Sequence, residues 1–330
     1  MILDGTAGIT FPDTSKQYNS YYNFKNRIIN GAMVIDQRNA GASVTLTSSN
    51  VYNLDRWFAR AATGSGTTAI QSTTVPANFK NSLLITVGTG ASPGASDNNY
   101  VAQRIEGLNM ADFGWGTANA TTVTLSFWVR SSVTGTFGGA IQNNALDRSY
   151  PFTYTINAAN TWEFETITIP GDTTGTWLTT NGVGLVLTID LGTGSTFQGT
   201  AGAWAASDFR AASGTSKIIS TSGATFAVTG VQLEKGTQAT SFDYRAYGTE
   251  LALCQRYFEL LSSYSGPDSS GGSTARTTYF FKVSKRATPT ITLGSGSNGT
   301  VANTSVDLFQ LGAGGSTPAT GTGGNAAIEL

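Results

Sequence analysis

The chain has no histidine among its 330 residues. That excludes Ser-His-Asp and Cys-His catalysis within the chain, and every His-ligated metal site. The single cysteine, Cys254, excludes an intramolecular disulfide and a Cys-ligated zinc. Charged residues are scarce at 12%, prolines number 8, and the net charge is −1. No long run of either sign exists, so neither a nucleic-acid partner nor an anionic membrane surface is expected. No run of 18 apolar residues exists, so membrane insertion is not expected either. The opening MILDGTAGITFPDTSKQ lacks the basic-then-apolar pattern of a secretory signal.

What the chain does have is glycine, at 40 residues, and enough apolar residues, at 39%, to build a core. The apolar residues alternate. TVTLSFWVR puts Val123, Leu125, Phe127 and Val129 on one face, and VGLVLTIDL does the same with Val183, Leu185, Leu187, Ile189 and Leu191. SLLITVG, WEFETITIP and TFAVTGVQL read alike, the last changing parity at Gly230 as a β-bulge would. Gly- and Ser-rich loops separate these runs and suit antiparallel connections. No fixed-period repeat is evident. The expectation is an all-β chain: an antiparallel jelly-roll sandwich over 26–246, preceded by a short polar arm at 1–25. A buried helical connector at 247–262 and a small C-terminal β domain at 263–330 follow it.

The connector lies in YRAYGTELALCQRYFEL. Thr249 is a plausible N-cap, with Glu250 in the first turn. Leu251, Cys254, Phe258 and Leu261 form one apolar stripe, and Leu253, Tyr257 and Leu260 a second beside it. So wide an apolar face is buried between two β units, or packs on copies of itself. The preferred alternative is a short helix at about 248–256 running into a strand, with Tyr257, Glu259 and Leu261 alternating. Cys254 then reads as a small buried apolar residue with no nucleophilic role.

NRIINGAMVIDQRNAG, YNLDRWFAR, SFWVRSS and GVQLEKGTQATSFDYRAYGTELALCQRYFE, in that order, resemble a carbohydrate-binding-module-like jelly roll of tailed-bacteriophage structural proteins, often tail fibres. YFFKVSKRATPTITL and AAIEL resemble the small β domain that commonly follows it. The resemblance implies a non-enzymatic virion protein, made in the host cytoplasm and placed on the particle's exterior as a tail-fibre or receptor-binding subunit. It also implies a homotrimer, docked to other virion proteins through 1–25 and contacting a host-surface glycan. Two other functions stay open: a purely structural capsid-decoration, head-fibre or collar protein, and a glycan hydrolase.

Trp115, Trp177 and Trp204 lie in Gly- and Ala-rich loops and are the candidate glycan-binding residues, because an exposed ring stacks on a sugar's apolar face. The competing reading makes each a plug under its own loop. Trp57, Trp128 and Trp162 sit in or beside strands and read as packing residues. No cofactor is required. A structural Ca²⁺, which the resemblance permits, would use Asp97, Glu234 and Asp243. Glu163 and Glu165 are alternate strand residues expected to face solvent, and so make a weak hydrolytic pair. Lys282, Lys285 and Arg286 read as a solvated hairpin end. Leu251, Leu253, Cys254, Tyr257, Phe258 and Leu261 are the expected interdomain or oligomer seam.

Overall fold

The computed structural model describes residues 24–261, 276–294, 299–313 and 323–330, together with the backbone of five short strands outside them. Of the expected arm, it describes the backbone of β1 (Ile2–Asp4), β2 (Gly8–Thr10) and β3 (Lys16–Gln17), a three-stranded antiparallel sheet. The arm's docking role falls on residues otherwise outside the described ones.

In chain order the body runs β4 (Val44–Thr45), β5 (Val51–Leu54), β6 (Trp57–Ala61), β7 (Thr68–Ser72), β8 (Ser82–Thr86) and β9 (Asn99–Glu106). It continues with β10 (Val123–Ser131), β11 (Gly135–Gln142), β12 (Ser149–Ile156), β13 (Glu163–Ile169) and β14 (Val183–Asp190). A short parallel pair, β15 (Gln198–Gly199) and β16 (Ala211–Ala212), precedes the long β17 (Thr225–Lys235). Two six-stranded sheets result. Sheet I has the order β13-β10-β17-β8-β7-β4, and sheet II the order β12-β11-β14-β9-β6-β5. Every pairing within them is antiparallel. The chain thus has the all-β jelly-roll sandwich, followed by a short helix and smaller sheets, that its alternation predicts.

The alternation fills the space between the sheets. Val123, Leu125, Phe127 and Val129 of β10 are fully buried there, as are Leu185, Leu187 and Ile189 of β14. Each such side chain contributes about 1.5–3 kcal/mol relative to exposure. Val183 departs from its expected row. The register shifts between Val183 and Leu185, and Val183 packs instead against the seam described below. The β17 bulge falls where the parity change places it: Ser126 pairs with Gln232, but Trp128 pairs with Thr229. Gly230 there has φ of +62°, a conformation that costs glycine little and other residues more.

Helix α1 (Tyr247–Gln255) starts earlier than expected, with Ala246 rather than Thr249 at its N-cap and no side-chain cap bond. Its anchor is tertiary. The Glu250 carboxylate accepts the Asn30 main-chain N–H and pairs with Arg245. After α1 the chain turns into β18 (Phe258–Leu260), so the two apolar stripes do not continue along one helix. Cys254, Tyr257, Phe258 and Leu261 are nonetheless buried, and Leu251 and Leu253 half-buried. Ile29, Ile35, Cys254, Tyr257 and Leu330 form one apolar cluster, joined by Leu251 and Leu253. Within one chain this cluster takes up most of the seam residues, while Leu260 of the second stripe stays 44% exposed.

The remaining strands are β19 (Tyr264–Ser265), β20 (Arg276–Phe280), β21 (Thr290–Leu293), β22 (Gly299–Thr304), β23 (Leu308–Ala313), β24 (Thr320–Gly321) and β25 (Gly324–Ala327). They form the sheets β18-β25-β21, β20-β23-β22 and β19-β24. The turn between β20 and β21 is no hairpin end, because these strands belong to different sheets. Nor is it solvated throughout. The Lys285 ammonium is fully buried, 2.6 Å from the equally buried Glu259 carboxylate, and donates to the Gln255 carbonyl. Arg286 donates to the carbonyls of Ile328, Glu329 and Asn181. Lys282 alone of the three is exposed.

The seam between sandwich and C-terminal sheets is polar at its centre. Glu106, at the end of β9, is buried and receives both Arg256 Nε at 2.9 Å and Nη2 at 2.7 Å. The Tyr257 hydroxyl donates to the same carboxylate. Burial alone would raise the Glu106 pKa, but these bonds outweigh it and hold the carboxyl below its usual value. A depressed pKa gives stability that is present above the ordinary carboxylate range and lost as pH falls through the native value. Arg256→Ala leaves Glu106 buried without its cation, and should cost about 3 kcal/mol in urea unfolding at neutral pH. The deficit should shrink only as pH falls through that depressed value, where the carboxyl takes up a proton in the parent as well. A variant as stable as the parent at neutral pH would show that the pair does not hold the seam.

Candidate functional site

Trp115, Trp177 and Trp204 come from three separate loops and meet in one cluster. Their ring centroids lie 4.7 Å (Trp115–Trp177), 5.4 Å (Trp115–Trp204) and 5.5 Å (Trp177–Trp204) apart, all edge to face. Tyr150 and Phe113 extend the cluster. Each indole N–H donates to a main-chain carbonyl: Trp115 to Thr121, Trp177 to Thr174 and Trp204 to Pro170. Trp115 and Trp177 are only 5% and 6% exposed, so neither offers a ring face to a sugar. They plug the end of the sandwich core, where the fully buried Phe113 joins them. Trp204 alone of the three is half-buried.

The acidic candidates do not converge. Asp97 accepts Thr63 Oγ1 and the Gly94 N–H, as a turn cap does, and the Thr63 bond first, then the Gly94 bond, lower its pKa. Glu234 is taken up by Thr240 and by Gln232, whose own amide oxygen accepts the Asp243 N–H. Among the described residues no group of three His, Cys, Asp or Glu side chains is placed to hold a metal. Glu163 and Glu165 do not both face solvent. Glu163 accepts the main-chain N–H groups of Asn157 and Ala158 and closes the loop from β12 to β13. Glu165 sits half-buried in the inward row of β13, where burial and then the Glu163 charge raise its pKa.

The exposed aromatic surface lies elsewhere, on the outer face of sheet I. Trp128, outward-facing on β10, pairs with Phe164 of β13, and their rings are 5.3 Å apart. Across β17, Phe79 packs against Phe242 at 5.3 Å and Tyr244 at 5.5 Å, with Phe242 and Tyr244 4.8 Å apart. Gly230 lies between the two groups. A Cβ there would stand 2.7 Å from the Phe79 ring and 3.1 Å from Trp128. The missing side chain lets both groups close over the backbone as one belt of five rings. Phe164 is 46% and Tyr244 56% exposed, and the Tyr244 hydroxyl donates to the Asn78 carbonyl at 2.9 Å. Burial raises the Tyr244 pKa, so the phenol stays a neutral hydrogen-bonding group.

No family model and no curated protein matches the chain. Solved structures that resemble it include the enzymatically active domain of tailspike protein 4 from bacteriophage CBA120, at 12% identity and TM-score 0.34. That likeness covers 64% of this chain and 21% of the other, so the chain spans about a fifth of the tailspike domain. A putative sugar binding protein from Bacteroides thetaiotaomicron is similar at 13% identity and TM-score 0.37, over 64% of this chain and 100% of that one. The CBM22-1–GH10 modules of Clostridium thermocellum xylanase 10B, solved with xylohexaose, are similar at 14% identity and TM-score 0.32, over 62% and 30%. At such identities the fold rests on the strand pairing within the chain itself.

The two sets of rings should separate by stability. Trp115→Ala removes a buried plug and should cost about 3–5 kcal/mol in urea unfolding. Trp128→Ala, on the outer face, should cost less than half as much. Equal losses would mean that the belt is core.

Proposed function

We propose that the chain is a non-enzymatic virion structural protein, a tail-fibre or receptor-binding subunit on the exterior of a phage particle. Its sandwich binds host-surface glycan through the sheet I belt. The observation that carries this reading is the belt: two groups of rings, five in all, flanking Gly230 on an outer sheet face, with Phe164 and Tyr244 about half exposed. Nothing in the sandwich core needs those rings on the outside. Aromatic faces stack on the apolar face of a pyranose, and the polar groups at the rim bond its hydroxyls. The Tyr244 hydroxyl and the exposed Asn78 and Lys80 supply such groups beside Phe79. The virion setting, the arm's docking and the homotrimer follow from the sequence resemblance, and no metal takes part in this reading.

A glycan array probed with the parent, with Trp128→Ala and Tyr244→Ala, and with Trp204→Ala tests it. Binding by the parent should fall roughly tenfold or more in the two belt variants, the loss expected when an aromatic anchor at the centre of a binding surface is truncated, and stay near parental in Trp204→Ala. No binding by the parent would favour the purely structural capsid, head-fibre or collar role. Released reducing ends from host polysaccharide would instead support the hydrolase.

A further inference from the structure

The two exposed rings of the belt, Phe164 and Tyr244, belong to its two separate groups; Trp128, Phe79 and Phe242 are half-buried. Phe164, Trp128 and Thr229 stand directly opposite one another on β13, β10 and β17. Neighbouring strands lie about 4.8 Å apart, which puts Phe164 about 10 Å from the β17 backbone. Tyr244 is beyond that backbone. It packs on Phe79, whose ring closes over Gly230, and its hydroxyl is bonded to Asn78 in the segment leading into β8. In sheet I, β8 is on the other side of β17 from β10.

A sugar stacked on one of these rings therefore cannot touch the other. A pyranose with its linkage advances a chain by about one strand spacing, so a saccharide that meets both rings needs at least about three consecutive sugars. Among the described residues neither end of the belt is walled. β13 is the last strand of sheet I, so a chain passing over Phe164 runs off the sheet edge. At the other end Ala77, Asn78 and Lys80 are exposed.

Nor is the belt a flat platform. Its ring planes are tilted by 48° (Trp128–Phe164), 68° (Phe79–Phe242) and 71° (Phe242–Tyr244). Rings at such angles suit one twisted chain and not the parallel chains of a crystalline surface. Resting on the glycan-binding role of the belt, we infer that its ligand is the interior of a single linear polysaccharide, with one sugar stacked on Phe164, another on Tyr244 and at least one between them. A site of this kind reads a length of chain, not a terminal sugar.

Calorimetric titration of the full chain tests this. The probe is the array glycan that the parent holds most strongly, cut and sized into fragments from a single sugar up to six. Affinity should rise about a hundredfold between the disaccharide and fragments that reach both rings, because the first contact holds the second sugar at a high effective concentration. Phe164→Ala and Tyr244→Ala should each weaken the longest fragment roughly tenfold, yet change the disaccharide by no more than about twofold, since one exposed ring remains. Both variants should keep the parental melting transition. Equal affinity for the single sugar and the longest fragment would overturn the inference and leave the belt reading standing. So would a loss confined to one of the two variants. Binding that neither substitution weakens, or no binding to any glycan, would overturn the belt reading and the inference with it.

Discussion

The buried carboxylate of Glu106 is the constraint on which the rest of the arrangement depends. A charge removed from water must be met by partners in fixed geometry, and here Arg256 and Tyr257 meet it from the chain segment that leaves the sandwich. Once those two residues are fixed, α1 is fixed before them and β18 after them. The same few residues tie down the chain's other end. Arg56 lies 3.6 Å over the Tyr257 ring and pairs with Glu329, while the Ile328 N–H donates to the Tyr257 carbonyl. The C-terminal sheets, whose buried core among the described residues is Leu261, Phe281, Phe309, Leu311 and Ala326, are thereby held against a much larger body. A core so small gains from such a neighbour.

The sandwich was legible because period-two alternation reports which side of a strand meets the core, and glycine-rich loops report that strands return antiparallel. The helix-to-strand passage was legible too: Tyr257, Glu259 and Leu261 are all buried, as their alternation requires. The helix cap was not, because Glu250 is satisfied by Asn30, a residue more than two hundred positions away. The burial of Lys285 was hidden for the same reason, since its partner Glu259 lies on β18, outside the turn. Local composition made a buried ion pair look like a solvated turn.

The candidate site shows the same limit more sharply. A tryptophan in a glycine-rich loop looks exposed, yet three such loops fold toward one another and satisfy their indoles internally. Trp128 looked like packing because it stands in a strand. The signal that places it outside was present all along: with Val123, Leu125, Phe127 and Val129 facing in, Trp128 must face out. Nothing in the sequence places Phe79, Phe242 and Tyr244 beside it, because they arrive from separate segments. The motifs that carried the family resemblance, by contrast, supply much of the seam: Asn30, Arg56, Trp57, Glu250, Arg256 and Tyr257 all lie in them.

Gly230 links two properties that a binding surface would be freer without. It sets the phase of β17, so that Phe226 and Val228 before it and Val231 and Leu233 after it all reach the core. It also forms the floor on which the outer rings meet. Change at the centre of that surface is therefore tied to the register of the strand beneath it. Diversification of the surface is left to its rim, at positions such as Phe164 and Tyr244, where a side chain can change without moving the strand.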